Sequence, residues 1–252
     1  MLKTRVIPVL LWNGSGLVKG VGFDSWRSIG SVLPAIKVYN LREVDELVLL
    51  NIRSTQLQVE PDVRSVAEFS AECFVPLTVG GGVSQVEHIR ALLKAGADKV
   101  AINSAAYTDP NLIRNAATLF GTQCIVCSID VRLIEGEYRC FSHSGSVNTG
   151  YLLEDWVLRV HAQGAGEILL TRIELDGTLG GYDLDLIRKV SDLVDIPVIA
   201  SGGAGSFNDF YHAIEFGHAS AVAAGAMFHF TEQTPKEAKL FLAEQGIATR
   251  RE

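Results

Sequence analysis

Eight short runs of aliphatic and β-branched residues recur along the chain: Arg5–Leu11, Glu46–Asn51, Val75–Val79, Asp98–Asn103, Cys124–Asp130, Glu167–Thr171, Pro197–Ser201 and Ala219–Ala224. Their apolar positions are nearly continuous, the pattern of strands buried on both faces of a parallel sheet. Between them lie amphipathic stretches at helical spacing, among them Val86–Ala95, Pro110–Phe120, Leu153–Gln163 and Asp183–Val194. Eight strands, each followed by a helix, predict an α/β fold, a (β/α)8 TIM barrel with residues 1–252 as one domain. A doubly wound open sheet is the alternative, but it ordinarily uses fewer strands.

The second half of the pattern repeats the first. Gly82 and Gly203, Glu46 and Glu167, and the stretches beginning Ala101 and Val222 are all offset by 121 residues. A half-barrel internal repeat follows, with no domain boundary between the halves. The clearest part of the repeat is Pro76–Gly82 against Pro197–Gly205, each a buried strand running into glycines. Such turns leave backbone N–H groups free to converge on an anion, with no Cβ to hold a phosphate away.

Two segments interrupt the alternation. Leu11–Arg27, with Asn13-Gly14-Ser15-Gly16 inside it, reads as a long loop able to close over a ligand. Arg132–Thr149 reads as a hairpin turning at Glu135-Gly136-Glu137. Both fall on the face where barrel enzymes keep their chemistry.

Composition narrows the function classes. A net charge of −7 and an acidic pI oppose general binding to nucleic acid or anionic membranes. No apolar run approaches a membrane span, and Met1–Arg5 leads into a strand instead of a signal peptide, so the expected compartment is the cytosol. Of the four cysteines, Cys73, Cys124, Cys127 and Cys140, only Cys124-x-x-Cys127 has a suggestive spacing. Residues three apart on a strand face opposite sides, so packing is expected, with no metal site and no cofactor.

Polar and glycine residues gather at the strand ends. Gly81, Gly82, Asn103 and Ser104 form one expected phosphate grip, and Gly202, Gly203, Ala224 and Gly225 the other. The segment Ala226–Phe230 aims a helix N-terminus at the second grip. Thr171 ends the sixth strand, and Gly177-Thr178 resembles an anion-contacting turn. Asp130 ends the fifth strand and is expected to project into the barrel mouth as a general acid or base, or else to cap a loop. Asp176 has the same two readings. Lys19, on the first long loop, covers an anionic ligand or is simply solvated. At the opposite end Arg5, Glu46, Lys99 and Glu167 stand at the first turns of their strands, two cations and two anions able to form a neutral ring.

These motifs together resemble the cyclase subunits of imidazole glycerol phosphate synthase along essentially the whole chain. The resemblance is carried by Arg5-Val6-Ile7-Pro8, Leu17-Val18-Lys19-Gly20, Pro76–Gly82, Lys99–Ala106, Gly164–Leu170, Asp176-Gly177-Thr178, Gly181-Tyr182-Asp183 and Ile196–Gly205. It implies a glutaminase partner on the N-terminal face of the barrel, releasing ammonia that passes through the barrel to a bisphosphate ligand on top. It also implies that Arg5, Glu46, Lys99 and Glu167 gate that passage. The family's chemistry uses two aspartates, ending the first and fifth strands. Asp130 matches the second, whereas Leu11 stands at the first, with Asn51 and Arg172 as further departures. This combination is similar to a paralogous branch associated with amidation of surface-polysaccharide sugars, in which ammonia goes to a separate sugar-amidating enzyme. The ending Phe228-His229-Phe230 is closer to the histidine-pathway enzyme. Three readings remain open at this stage: an ammonia-channelling barrel with weak or lost cyclase activity, a working cyclase and lyase, and a phosphate-binding scaffold without turnover.

Overall fold

Eight parallel strands close on themselves in the computed structural model, which describes residues 3–250. In barrel order they are Arg5–Trp12, Leu47–Asn51, Leu77–Gly80, Lys99–Ile102, Ile125–Ile134, Glu167–Arg172, Val198–Ser201 and Ala221–Ala224. Each is hydrogen-bonded to the next, and the eighth returns to the first in a register that runs from Arg5 opposite Ala221 to Pro8 opposite Ala224. The fold is therefore the expected (β/α)8 barrel. The outermost positions of the expected domain, Met1, Leu2, Arg251 and Glu252, lie outside the described residues.

Side-chain alternation divides the strands' apolar residues between two cores. Ile7, Val9, Leu11, Val48, Ala101, Val126, Leu169, Ile199, Ala221 and Ala223 cluster within the barrel. Val6, Leu10, Leu49, Val100, Cys127, Ile168 and Val198 face outward to the helices, where Trp156 and Phe210 are fully buried. All four cysteines are free, and Cys127 lies in this outer core as packing. Helix starts are fixed by local chemistry. The Asp62 and Asp183 side chains accept from backbone N–H groups three residues on, and Ser206 with Asp209 and Thr234 with Glu237 form capping boxes.

The half-barrel repeat extends to backbone conformation. Gly81 and Gly82 have φ of 103° and 74°, and Gly202 and Gly203 have 84° and 123°, values open to glycine at little cost. A Cβ at Gly81 would stand 2.1 Å from the Asn51 carbonyl oxygen, and one at Gly203 2.0 Å from that of Gly181. Both turns are thus packed against the neighbouring loop with no room for a side chain.

The two insertions differ from each other. Arg132–Thr149 forms the expected hairpin, with Glu135 and Gly136 at positive φ in the turn and strand Glu137–Ser142 pairing back onto the fifth barrel strand. A further strand, Val147–Leu152, pairs with that one. Leu11–Arg27, by contrast, is not a loop. Leu17–Val21 pairs antiparallel with the end of the first barrel strand and with Asp24–Gly30, making a β-ribbon. The Asn13 side chain accepts from the N–H groups of Ser15 and Gly16, at 3.0 and 2.9 Å, and turns the chain so that this pairing forms.

Candidate functional site

One pocket opens at the C-terminal end of the barrel. Among its lining residues are Leu11, Lys19, Gly81, Gly82, Asn103, Ser104, Asp130, Thr171, Asp176, Gly177, Gly202, Gly203, Ala224 and Gly225. Asn51 is there as well, whereas Arg172 and Thr178 are not among the lining residues. The Thr178 hydroxyl donates to the Leu175 carbonyl instead.

Lys19 corrects the sequence reading. The ribbon presents it inward, 3 % exposed, as an ion pair with Asp176. It is therefore not a solvated lysine, and it stands on a paired ribbon instead of a loop. The ribbon is seated on the Asp176–Gly177 turn, with the Gly22 N–H donating to the Asp176 carbonyl at 2.8 Å. Among the described residues Lys19 is the one lysine or arginine lining the pocket, and it is committed to a carboxylate.

Asp130 is 7 % exposed and has a different partner. The Asn103 amide donates to it at 2.7 Å, so Asn103 orients the carboxylate as well as lining the pocket. Burial pushes the Asp130 carboxyl up to about 7; the negative charge of Asp176 adds to the rise, and the Asn103 hydrogen bond opposes it. The group is balanced between its two protonation states near neutrality, as general acid–base work requires. Leu11, also 7 % exposed, packs into the inner apolar cluster with Leu50, Ile52 and Trp26 beside it. One wall of the pocket is thus apolar where the other carries Ser128, Asp130 and Thr171.

Several lining residues escaped the sequence reading. Ser128 stands two positions before Asp130 on the same strand face, so period-two alternation was the signal for it. Phe23 and Trp26 come from the ribbon, and Ser144 from the hairpin, where no periodicity pointed inward. Arg172 pairs with Glu174 at 2.6 Å and with Asp183, which also accepts from the Tyr138 hydroxyl at 2.9 Å. It staples the hairpin to the sixth loop.

At the N-terminal end the four expected charges form a closed cycle. Arg5 meets Glu46 at 2.7 Å and Glu167 at 3.0 Å, and Lys99 meets both carboxylates at 3.0 Å. Glu46 also accepts from the Thr78 hydroxyl at 2.8 Å. Burial alone disfavours charge on Arg5, but Glu167 and Glu46 outweigh it and hold the guanidinium more firmly protonated than in water.

The molecule thus combines a barrel with paired glycine turns, an aspartate midway along a fifth strand that runs on to Ile134 and a charged ring beneath. Residues 5–234 match the family described as "Histidine biosynthesis protein". The chain belongs to that family. It is 44 % identical over 250 residues to the imidazole glycerol phosphate synthase subunit HisF of Chlorobaculum parvum, covering 99 % of this chain and 100 % of that protein. The HisF of Chlorobium luteolum is 43 % identical over the same span, and that of Natranaerobius thermophilus 44 % over 256 residues. This HisF-like protein holds no helix among its described residues that is long and apolar enough to cross a membrane.

Proposed function

We propose that this HisF-like barrel receives ammonia from a glutaminase on its N-terminal face and keeps a phosphate-binding pocket on the other. In this reading its cyclase and lyase chemistry is weak or lost, and ammonia passes to a separate sugar-amidating enzyme. The observation that carries the reading is Leu11, a leucine packed into the pocket wall of a barrel whose other acid–base group is Asp130. A methyl group transfers no proton, and loss of a positioned acid or base commonly costs about 10²–10⁴-fold in rate.

In this reading each group has a definite role. The Gly81–Gly82 and Asn103–Ser104 grip and the Gly202–Gly203 and Ala224–Gly225 grip offer backbone N–H groups to phosphate, with Thr171 and Gly177 completing the rim. Lys19 is positioned by Asp176 and exchanges that partner for a phosphate oxygen when ligand arrives. Asp130 takes up or gives up a single proton. Below, ammonia enters when the ring of Arg5, Glu46, Lys99 and Glu167 opens on one side, Lys99 having the flexible stem. The partner and localisation follow from the reading: a cytoplasmic glutaminase complex.

A second reading has its own support. Asp130, buried and near neutrality, is a positioned acid–base group, and Asp176 stands in the same pocket to assist it, which favours a working cyclase and lyase in histidine biosynthesis. Forming imidazole glycerol phosphate from the bisphosphate substrate with purified barrel and glutaminase separates the two. A rate typical of HisF enzymes overturns the first reading; a rate at least about a hundredfold lower supports it. Ammonia-dependent turnover of any kind excludes the scaffold reading.

A further inference from the structure

A second cleft, of about 410 Å³, opens beyond the Gly80–Gly82 turn, between the loop after the second barrel strand and helix Val86–Lys94. Gly82 and Ser104 line both cavities, so the cleft adjoins the pocket along the first glycine turn. Hydroxyl, amide and imidazole groups of Ser54, Gln58, Ser84, Gln85, His88 and Thr108 line the cleft, interspersed with Val59, Val83 and Ala105. Neither lysine nor arginine lines it, and Glu60 is the one carboxylate there. Such a wall offers neutral donors and acceptors together, which complement a group whose own hydroxyls both donate and accept.

A second observation points into this cleft. Ser54 is 1 % exposed, and its buried hydroxyl has no hydrogen-bond partner among the described residues. Buried hydroxyls are nearly always satisfied, and Ser54 lines the cleft, so that rotation about its Cα–Cβ bond offers this hydroxyl to a ligand there. Its position ties it to the grip, since a Cβ added at Gly82 would stand 2.8 Å from the Ser54 Cβ. His88 is already fixed, with its Nδ1 3.3 Å from the Ser84 backbone nitrogen and its Nε2 2.9 Å from the Gln85 amide. The wall needs little rearrangement on binding, which lowers the cost of occupying it.

We propose that this cleft holds the sugar of a phosphorylated ligand, a sugar phosphate monoester whose phosphate sits on the Gly81–Gly82 and Asn103–Ser104 grip. The proposal rests on reading that grip as a phosphate site. Calorimetric titration of the full chain with α-glucose 1-phosphate and with methyl phosphate tests it, because the two share the monoester and differ in the hydroxyl-bearing ring. The expected result is roughly tenfold tighter binding of the sugar phosphate, with saturation-transfer NMR enhancement on its ring protons. Ser54→Ala and Gln58→Ala, each confirmed to unfold at the native temperature, reduce that advantage by about threefold or more. Equal affinity for the two probes, silent ring protons or an unaltered advantage in both variants overturns the cleft and leaves the grip standing. Failure of both probes to bind overturns the grip and the cleft together.

Discussion

The two ends of the barrel solve the same problem differently. Both bury charged groups, and a buried charge without compensation is costly. At the lower end two cations and two anions alternate around a cycle, so Arg5, Glu46, Lys99 and Glu167 each have two oppositely charged neighbours. At the upper end Lys19 and Asp176 neutralise each other, and Asp130 is left with a neutral amide. The lower arrangement is electrostatically complete. The upper one is resolved by protonation of Asp130 or by a ligand, and this incompleteness gives the pocket chemical potential that the ring lacks.

The largest test of that contrast restores the absent carboxylate. On the proposed reading Leu11→Asp raises formation of imidazole glycerol phosphate from ammonium and the bisphosphate substrate by about 10²–10⁴-fold, measured at high pH without glutaminase. No gain would show that the asymmetry across the pocket is irrelevant to turnover. At the other end, Glu46→Gln leaves Arg5 and Lys99 sharing one carboxylate. Removal of one partner from a buried set typically costs about 3–5 kcal/mol, which denaturant unfolding detects. It is also expected to lower glutaminase-coupled activity more than activity with free ammonium.

A smaller effect separates the ends by pH. The folded-state value of Asp130, about 7, lies above that of an unfolded aspartate, so the folded chain binds the extra proton between about pH 4 and pH 7. Its contribution to stability therefore falls as pH rises through that window, by up to about 1.4 kcal/mol per unit, and Asp130→Asn flattens the profile. A slope that survives this substitution assigns the effect elsewhere. Smallest is Asn103→Ala, which removes the hydrogen bond opposing the rise. It moves the Asp130 titration upward by on the order of one unit, readable by NMR of the carboxyl carbon.

Much of this contrast was legible in the residues alone. The ring and the two grips announce themselves because strand ends are marked by glycine and charge against apolar bodies, and because the same pattern returns 121 residues later. The hairpin was equally plain, since Glu135-Gly136 is turn chemistry between two alternating runs. The ribbon was not. Asp24–Gly30 is mostly exposed on both faces, so it has no period-two signal, and its pairing depends on an Asn13 turn whose effect is visible only in space. For the same reason the burial of Lys19 and the contact of Asn103 with Asp130 were hidden. Each depends on which neighbour a side chain meets across the barrel, and sequence order carries no record of that.

The ribbon also determines which kind of sequence change threatens the pocket. Val18 is paired with Leu11 and Leu17 with Trp12, and this register carries Lys19, the next residue, to Asp176. A strand alternates its faces with every residue, so one residue added or lost between Asn13 and Gly16 exchanges the inward and outward sets. Lys19 would then be carried off Asp176, and that carboxylate would stand in the pocket with Asp130 without its cation. Most substitutions on this ribbon are local in effect, whereas a single insertion or deletion rewrites the charge of the whole cavity. Among related barrels, constancy of length between the first strand and Lys19 is therefore a more sensitive marker of a working upper pocket than identity at any one ribbon position.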